Sequence, residues 1–382
     1  MLSPDRLKRF LAADPANTEL ACALADLHFD AGRFADADLV LGGLPAAAQA
    51  APGVQFRLAR LALIVGDYAH AEQRLLQLRA AGHDEAAISH DLAFALLCQR
   101  RLDAALEIVD ATVQLHGSSV ELYVLKARIA LMARQFAQAS QHLDAALVLE
   151  PGHATALGLR ALGLLDAGDL PAAGEAATQC LELHPCQHEA LLAAGTLALW
   201  KREHRAADAH FASALAKFPN SGRALSGLGQ VRMLDGDLEQ AGRLLSHAVT
   251  TMPDHIGTWQ ALGWTQLLQG DIGDAEHSYR TALALDRNFA ESHGGVAIVE
   301  LLQGRAAEGE LSMKRALKLD PHCISGRYAR TLWLEQQGDA VQSNALFASL
   351  LDEGALPGVN GLDPQALASG LKSRILTQRG KR

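Results

Sequence analysis

The chain has 382 residues, 49% hydrophobic, 20% charged and only 5% aromatic, with a formal charge of −9. Alanine, at 71 residues, is the largest single part of the hydrophobic share; the apolar content excludes disorder, and its alanine-rich make-up points to many short helices packed closely together. Val/Ile/Thr/Tyr-rich alternating runs are missing, which argues against a central β-sheet, and the acidic balance argues against nonspecific nucleic-acid binding.

Taken from the N-terminus, MLSPDRLKRFLAADPAN has no apolar core of a signal peptide. Within it, 6–13 reads as a lone capping helix. From Thr18 the chain repeats. Prolines stand at Pro151, Pro185, Pro219 and Pro253, each 34 residues after the last, and the same frame reaches Pro321. Extended both ways it gives ten units over 18–357 without an insertion. The eighth position of successive units holds Ala25, Ala59, Ala93, Ala127, Ala161, Gly195, Gly229, Gly263, Ala297 and Thr331. The twentieth holds Ala37, Ala71, Ala105, Ala139, Ala173, Ala207, Ala241, Ala275, Gly309 and Ser343. Two antiparallel helices approach closely only where little side chain intervenes. The fifteenth position is glycine in seven units and Arg100, Arg134 or Arg202 in the others, where a left-handed turn would end the first helix. Asp67, Asp169, Asp237, Asp271 and Asp339 follow five of these glycines and are candidate caps of the second helix.

Irregularities interrupt the frame. Pro45 falls inside the expected second helix of unit one, which should stop near Leu44 and leave PAAAQAAPG as a flexible or kinked connection. Pro171 sits in the first turn of a second helix, where proline is tolerated. Beyond the last unit, Asp363 and Pro364 signal a closing helix. Lys372, Arg374, Arg379, Lys381 and Arg382 then make a basic tail, read as a frayed solubilising end.

The 34-residue period, the small eighth and twentieth residues and the closing proline resemble the tetratricopeptide repeat. The eighth unit matches best, with Trp259, Leu262 and Gly263 in one helix and Ala275, Tyr279 and Ala282 in the next. The resemblance implies an all-α, right-handed superhelical solenoid of stacked antiparallel helix pairs, with helical caps at both ends. The expected domains are an N-terminal capping helix over 1–17, ten repeats over 18–357, and a C-terminal capping helix with its basic tail over 358–382.

In the resembled family the concave face is lined by first-helix positions 2, 5, 9, 12 and 13. Reading positions 5 and 9 selects a partner-binding set of Phe56, Arg60, His90, Phe94, Arg128, Leu162, Leu192, Gln230, Gln260, Trp264, Ile298 and Tyr328. No unit pairs lysine at position 5 with asparagine at position 9, so the carboxylate clamp of chaperone-type members is not expected. The groove reads as apolar to weakly polar, with aromatic and arginine anchors.

The expected function is a non-catalytic scaffold or adaptor. Its partner would be another protein, bound through a peptide or amphipathic helix whose acidic residue meets Arg60 or Arg128. The alternatives are a subunit or client chaperone of a bacterial secretion, pilus or envelope-assembly machine, or a regulatory partner of a separate transferase. No catalytic constellation survives the repeat context: around Ser226, Ala224 and Leu228 replace the glycines of a nucleophile elbow. Cys180, His184, Cys186 and His188 cluster at an inter-repeat turn, but their spacing matches no common zinc pattern, so neither metal nor cofactor is expected. No apolar stretch approaches the roughly 20 residues of a membrane span. Five scattered cysteines suit a reducing, cytoplasmic setting.

Overall fold

The structure, a computed structural model, describes residues 3–353. Every element among them is a helix: α1 (Pro4–Ala13), α2 (Thr18–Asp30), α3 (Phe34–Gly42), α4 (Ala46–Gln49), α5 (Pro52–Val65), α6 (Tyr68–Ala80), α7 (Ala86–Cys98), α8 (Leu102–His116), α9 (Val120–Met132), α10 (Phe136–Leu149) and α11 (Ala154–Ala167). There follow α12 (Leu170–Leu183), α13 (His188–Trp200), α14 (His204–Lys217), α15 (Gly222–Leu234), α16 (Leu238–Thr251), α17 (Ile256–Gln269), α18 (Ile272–Leu285), α19 (Ala290–Leu302), α20 (Ala306–Leu319), α21 (Ile324–Gln336) and α22 (Ala340–Asp352). The first helix of every pair starts on the 34-residue frame, from Thr18 to Ile324, and the second helices do the same from Phe34 to Ala340. The molecule is an all-α helical-repeat solenoid. No described helix is long and apolar enough to cross a membrane. The expected closing helix after Asp363 and the basic tail lie outside the described residues.

The regularity has a physical source in three positions. All twenty small residues at positions 8 and 20 are buried, so each pair is seated at the same depth. At position 15 the backbone is left-handed in all ten units, with φ between 58° and 89°. Arg100, Arg134 and Arg202 adopt that conformation as the glycines do, at a steric cost that glycine escapes. Of the five aspartates that follow, Asp67, Asp169, Asp237 and Asp339 accept a backbone N–H of the next helix at 3.0–3.3 Å, whereas Asp271 makes no such cap.

At Pro45 the second helix of the first repeat does stop, at Gly42, but the connection is ordered into the single turn of α4. Gln49 fastens it, its amide donating to the carbonyls of Gly42 at 2.9 Å and Leu44 at 2.8 Å. Proline supplies the break, and a glutamine satisfies the carbonyls it frees.

The chain divides within α12 into two compact units, residues 1–176 and 177–382. Unit 1 builds its core from leucines, valines and isoleucines such as Leu41, Leu75, Leu92 and Leu143. Unit 2 adds the buried rings of Phe211, Tyr279 and Tyr328. Phe211 fits because it lies between two helical glycines. A Cβ would stand 2.8 Å from its ring at Gly195 and 2.3 Å at Gly227. Tyr279 is held the same way by Gly263 and Gly295.

Candidate functional site

The first helices carry the residues that the repeat frame singles out, and the two units treat them differently. In unit 1 charged side chains link one repeat to the next. Arg57 donates through Nε to Asp26 at 2.8 Å and through Nη2 at 2.5 Å. This pairing raises the Arg57 pKa above its ordinary value. One repeat on, Arg60 stands 3.8 Å from Asp91 and lies over the Phe29 ring at 5.4 Å. The same Asp91 meets His90 Nδ1 at 3.0 Å. Arg60 and His90 thus share one carboxylate, and the Arg60 guanidinium is already partly engaged.

Phe56 and Phe94 are half-buried and pack against the core of repeats two to four. Arg128 is half-buried, in the electrostatic neighbourhood of the Cys98 thiol, whose pKa burial pushes up. Leu162 is half-buried as well.

In unit 2 the corresponding positions carry no charge. Gln230 donates to the Ser226 carbonyl and hydroxyl of its own helix at 3.3 Å each. Thr258 donates to the Ser226 hydroxyl at 3.0 Å, and Gln260 to the Ser292 hydroxyl at 2.7 Å. At these positions hydroxyl and amide pairs bridge successive repeats, and the Glu291 carboxylate adds a link by accepting the backbone N–H groups of Ile324 and Ser325 at 2.7 and 2.9 Å. Leu192 and Gln260 are buried, and Trp264 is half-buried.

Two members of the sequence-derived set have no surface to offer. Ile298 is 0% and Tyr328 1% exposed, both in the core of repeats eight to ten. The cause is Gly294, one helical turn before Ile298 and at the position in the ninth repeat that Tyr328 holds in the tenth. A Cβ there would stand 2.4 Å from the Gly326 backbone nitrogen, so α19 and α21 touch almost backbone to backbone. That approach encloses both side chains, and the Trp264 ring reaches across to Tyr328 at 5.8 Å between centroids. Trp264 is consequently as much a core residue as a surface one.

Exposed apolar surface on the first helices lies instead at their C-terminal ends, at Val65 in position 14 and in three units at position 13, which the family pattern includes but the reading of positions 5 and 9 passed over. Ile64 is 44%, Met132 45% and Trp200 58% exposed. Carrying the same frame to position 13 would have found them.

The histidine–cysteine cluster does not converge. Cys180 is buried on α12, where burial pushes its thiol up to about 11, while Cys186 is exposed in the following turn. His188 opens α13 with Nε2 3.0 Å from the Ser221 hydroxyl and its ring edge-on to Phe218. Among the described residues no three His, Cys, Asp or Glu side chains gather as a metal set.

The fold defines an all-α helical-repeat protein. Tetratricopeptide-repeat family models match residues 124–185, 220–288 and 261–322. Solved structures agree in fold. The chain resembles the Cut9–Hcn1 hetero-tetramer of the APC/C at 13% identity and a TM-score of 0.50, over 86% of this chain and 92% of that one. It resembles an IFIT1 monomeric mutant with Gppp-AAAA at 15% identity and 0.54, over 95% and 90%. The human IFIT1 dimer with m7Gppp-AAAA is similar at 14% and 0.50, over 87% and 83%. No curated protein matches the sequence.

Proposed function

We propose that this chain is a non-catalytic scaffold that holds an apolar or amphipathic segment of a partner protein along its first-helix faces. Tetratricopeptide repeats in general serve protein–protein interaction, and the particular reading rests on unit 1. There Phe56 and Phe94 are half-buried, and Arg60 and Arg128 hold in neighbouring repeats the ninth position that Phe94 holds in its own. Aromatic and arginine side chains placed together are the usual energetic anchors of an interface, and a helix presents matching apolar residues at i, i+3, i+4 and i+7. An acidic residue of the partner would compete with Asp91 for Arg60, or pair with Arg128. The repeats over 18–357 form the binding body in this reading, with 1–17 covering its first repeat. A cytoplasmic setting accords with five cysteines that form no disulfide.

The test compares full-length wild type with Phe94→Ala/Arg128→Glu in affinity capture from the native cell, with circular dichroism as the check on folding. Both residues are only half-buried, so the variant should fold. Loss of the captured partners, by tenfold or more, is the expected result. Undiminished capture by a folded variant would remove this face from consideration. Capture that also survives Asp91→Ala unchanged would remove the competition for Arg60.

A further inference from the structure

In repeats three, four and six the left-handed turn residue is arginine where the other seven repeats have glycine. Arg100 and Arg134 hold φ of 60° and 58° in successive repeats, a backbone state that glycine enters without steric cost. Strain of this kind clusters at ligand clamps and binding sites. Arg202, the third of the set, shows one use for it. Its Nη2 donates at 3.4 Å to the carbonyl of Glu353, 151 residues further along the chain. An arginine in this turn can thus reach a segment that passes across the turn.

Arg100 and Arg134 are exposed, and apolar side chains are exposed beside them. Ile64 and Val65, 44% and 74% exposed, end α5 in repeat two, and Met132, 45% exposed, ends α9 in repeat four. Between them half-buried Cys98 ends α7 in repeat three. Contacts join these ends into a strip. Tyr68 of repeat two meets the Cys98 thiol, which lies in the field of Arg128, one helical turn before Met132. Packed helices stand about 8–10 Å apart, so the strip spans roughly 20 Å, the length of about 14 helical residues.

Charge varies along the strip. Its middle carries Arg100 and Arg101 in repeat three and Arg128 and Arg134 in repeat four. Against them stand Glu72, which holds Arg101 at 2.6 Å, and Asp103 in the first turn of α8. Its flanks are acidic, with Asp67 in repeat two and Asp166 and Asp169 in repeat five. Exposed apolar side chains edged by an excess of arginine fit a segment that bears both apolar side chains and carboxylates. A basic segment would be repelled at the centre, and a purely acidic one would leave the apolar side chains in water.

We infer that the turn edge of repeats two to four is a docking strip for an acidic, leucine-rich amphipathic segment of a partner protein. Arg100 and Arg134 receive its carboxylates, and Ile64, Val65 and Met132 receive its apolar side chains. The inference rests on the scaffold reading and extends it, adding a second line of contacts beside Phe94 and Arg128 and fixing the partner's central charge as negative.

The test is fluorescence anisotropy of labelled peptides of about 14 residues with the full-length protein. One peptide carries leucines at helical spacing with glutamates between them, another has lysine for each glutamate, and a third has serine for each leucine. The leucine–glutamate peptide should bind at least tenfold more tightly than either of the others. Arg100→Gly/Arg134→Gly should weaken it at least tenfold, and so should Ile64→Ser/Met132→Ser. The glycine variant restores the residue that seven other repeats carry, so its unfolding midpoint should be no lower than that of wild type, and lost binding then belongs to the side chains. Equal binding of the glutamate and lysine peptides overturns the inference, as does undiminished binding by the folded glycine variant. Equal binding of the serine peptide would reduce the strip to charge attraction and overturns it too. None of these results touches Phe94→Ala/Arg128→Glu, whose loss of native partners would still support the scaffold reading.

Discussion

Unit 1 and unit 2 share one 34-residue frame but differ in the chemistry that joins successive first helices at their inner positions. Unit 1 places charge between first helices: Asp26 with Arg57, and Asp91 between Arg60 and His90. At positions 3 and 5 unit 2 uses hydroxyl and amide pairs, Ser226 with Thr258 and Gln260 with Ser292, and at Gly294 removes the side chain altogether, while its inter-repeat ion pairs, such as Arg305 with Glu276, lie at the turns and second helices. An ion pair near water keeps its side chains at the surface, whereas a glycine contact draws the neighbouring helices together and hides what lies between them. Identical repeats in sequence length can therefore present quite different faces.

The contrast can be broken most forcefully at Gly294. Gly294→Ala places a methyl against backbone atoms of Ser325 and Gly326 that have no rotamer to yield. It should cost about 3 kcal/mol, read in denaturant unfolding, with faster hydrogen exchange in α19 and α21 and little change in α5 or α7. A loss confined to unit 1 would contradict the assignment of the close approach.

In unit 1, Asp26→Ala should cost about 1 kcal/mol, the scale of a partly exposed ion pair. Raising salt to 1 M should shrink that difference, because screening weakens the pair already. The same salt titration on Ser292→Ala in unit 2 should leave its deficit unchanged.

Tyr328→Phe separates a core ring from a partner anchor. The Tyr328 hydroxyl is buried without a hydrogen-bond partner, so its removal should raise stability by about 1 kcal/mol and leave partner capture intact. Weakened capture by a fully folded variant would return Tyr328 to the binding face.

The smallest effect is expected at the left-handed turns. Arg100→Gly relieves a φ of 60° and should gain about 0.5 kcal/mol, the strain released less the added freedom of the unfolded chain. A loss would show that the arginine side chain outweighs its backbone strain.

The frame was legible because its determinants are local and repeated ten times. A small residue at Ala59 or Ala105 states how deeply its own helix pair packs, and Gly66 states where its own turn falls. The faces were less legible because they depend on a neighbour's residue. Nothing within the tenth repeat announces that Tyr328 is enclosed; the cause is the missing side chain of Gly294 in the ninth. Nor could spacing alone say that Cys180 points into a core while Cys186, six residues on, faces water. Trp200 was within reach of the sequence, since position 13 belongs to the family's inner face.

The unbroken 34-residue register also bears on heredity. An unequal exchange joining equivalent points of two repeats would lengthen or shorten the gene by whole units and leave every helix start in phase. Chemistry restricts which exchanges succeed. A junction that set Arg57 against the hydroxyl-bearing face of unit 2 would strand a half-buried cation, and one that replaced the repeat containing Gly294 would force apart two helices. The array can be recombined freely in length, but only within neighbourhoods of matching contact.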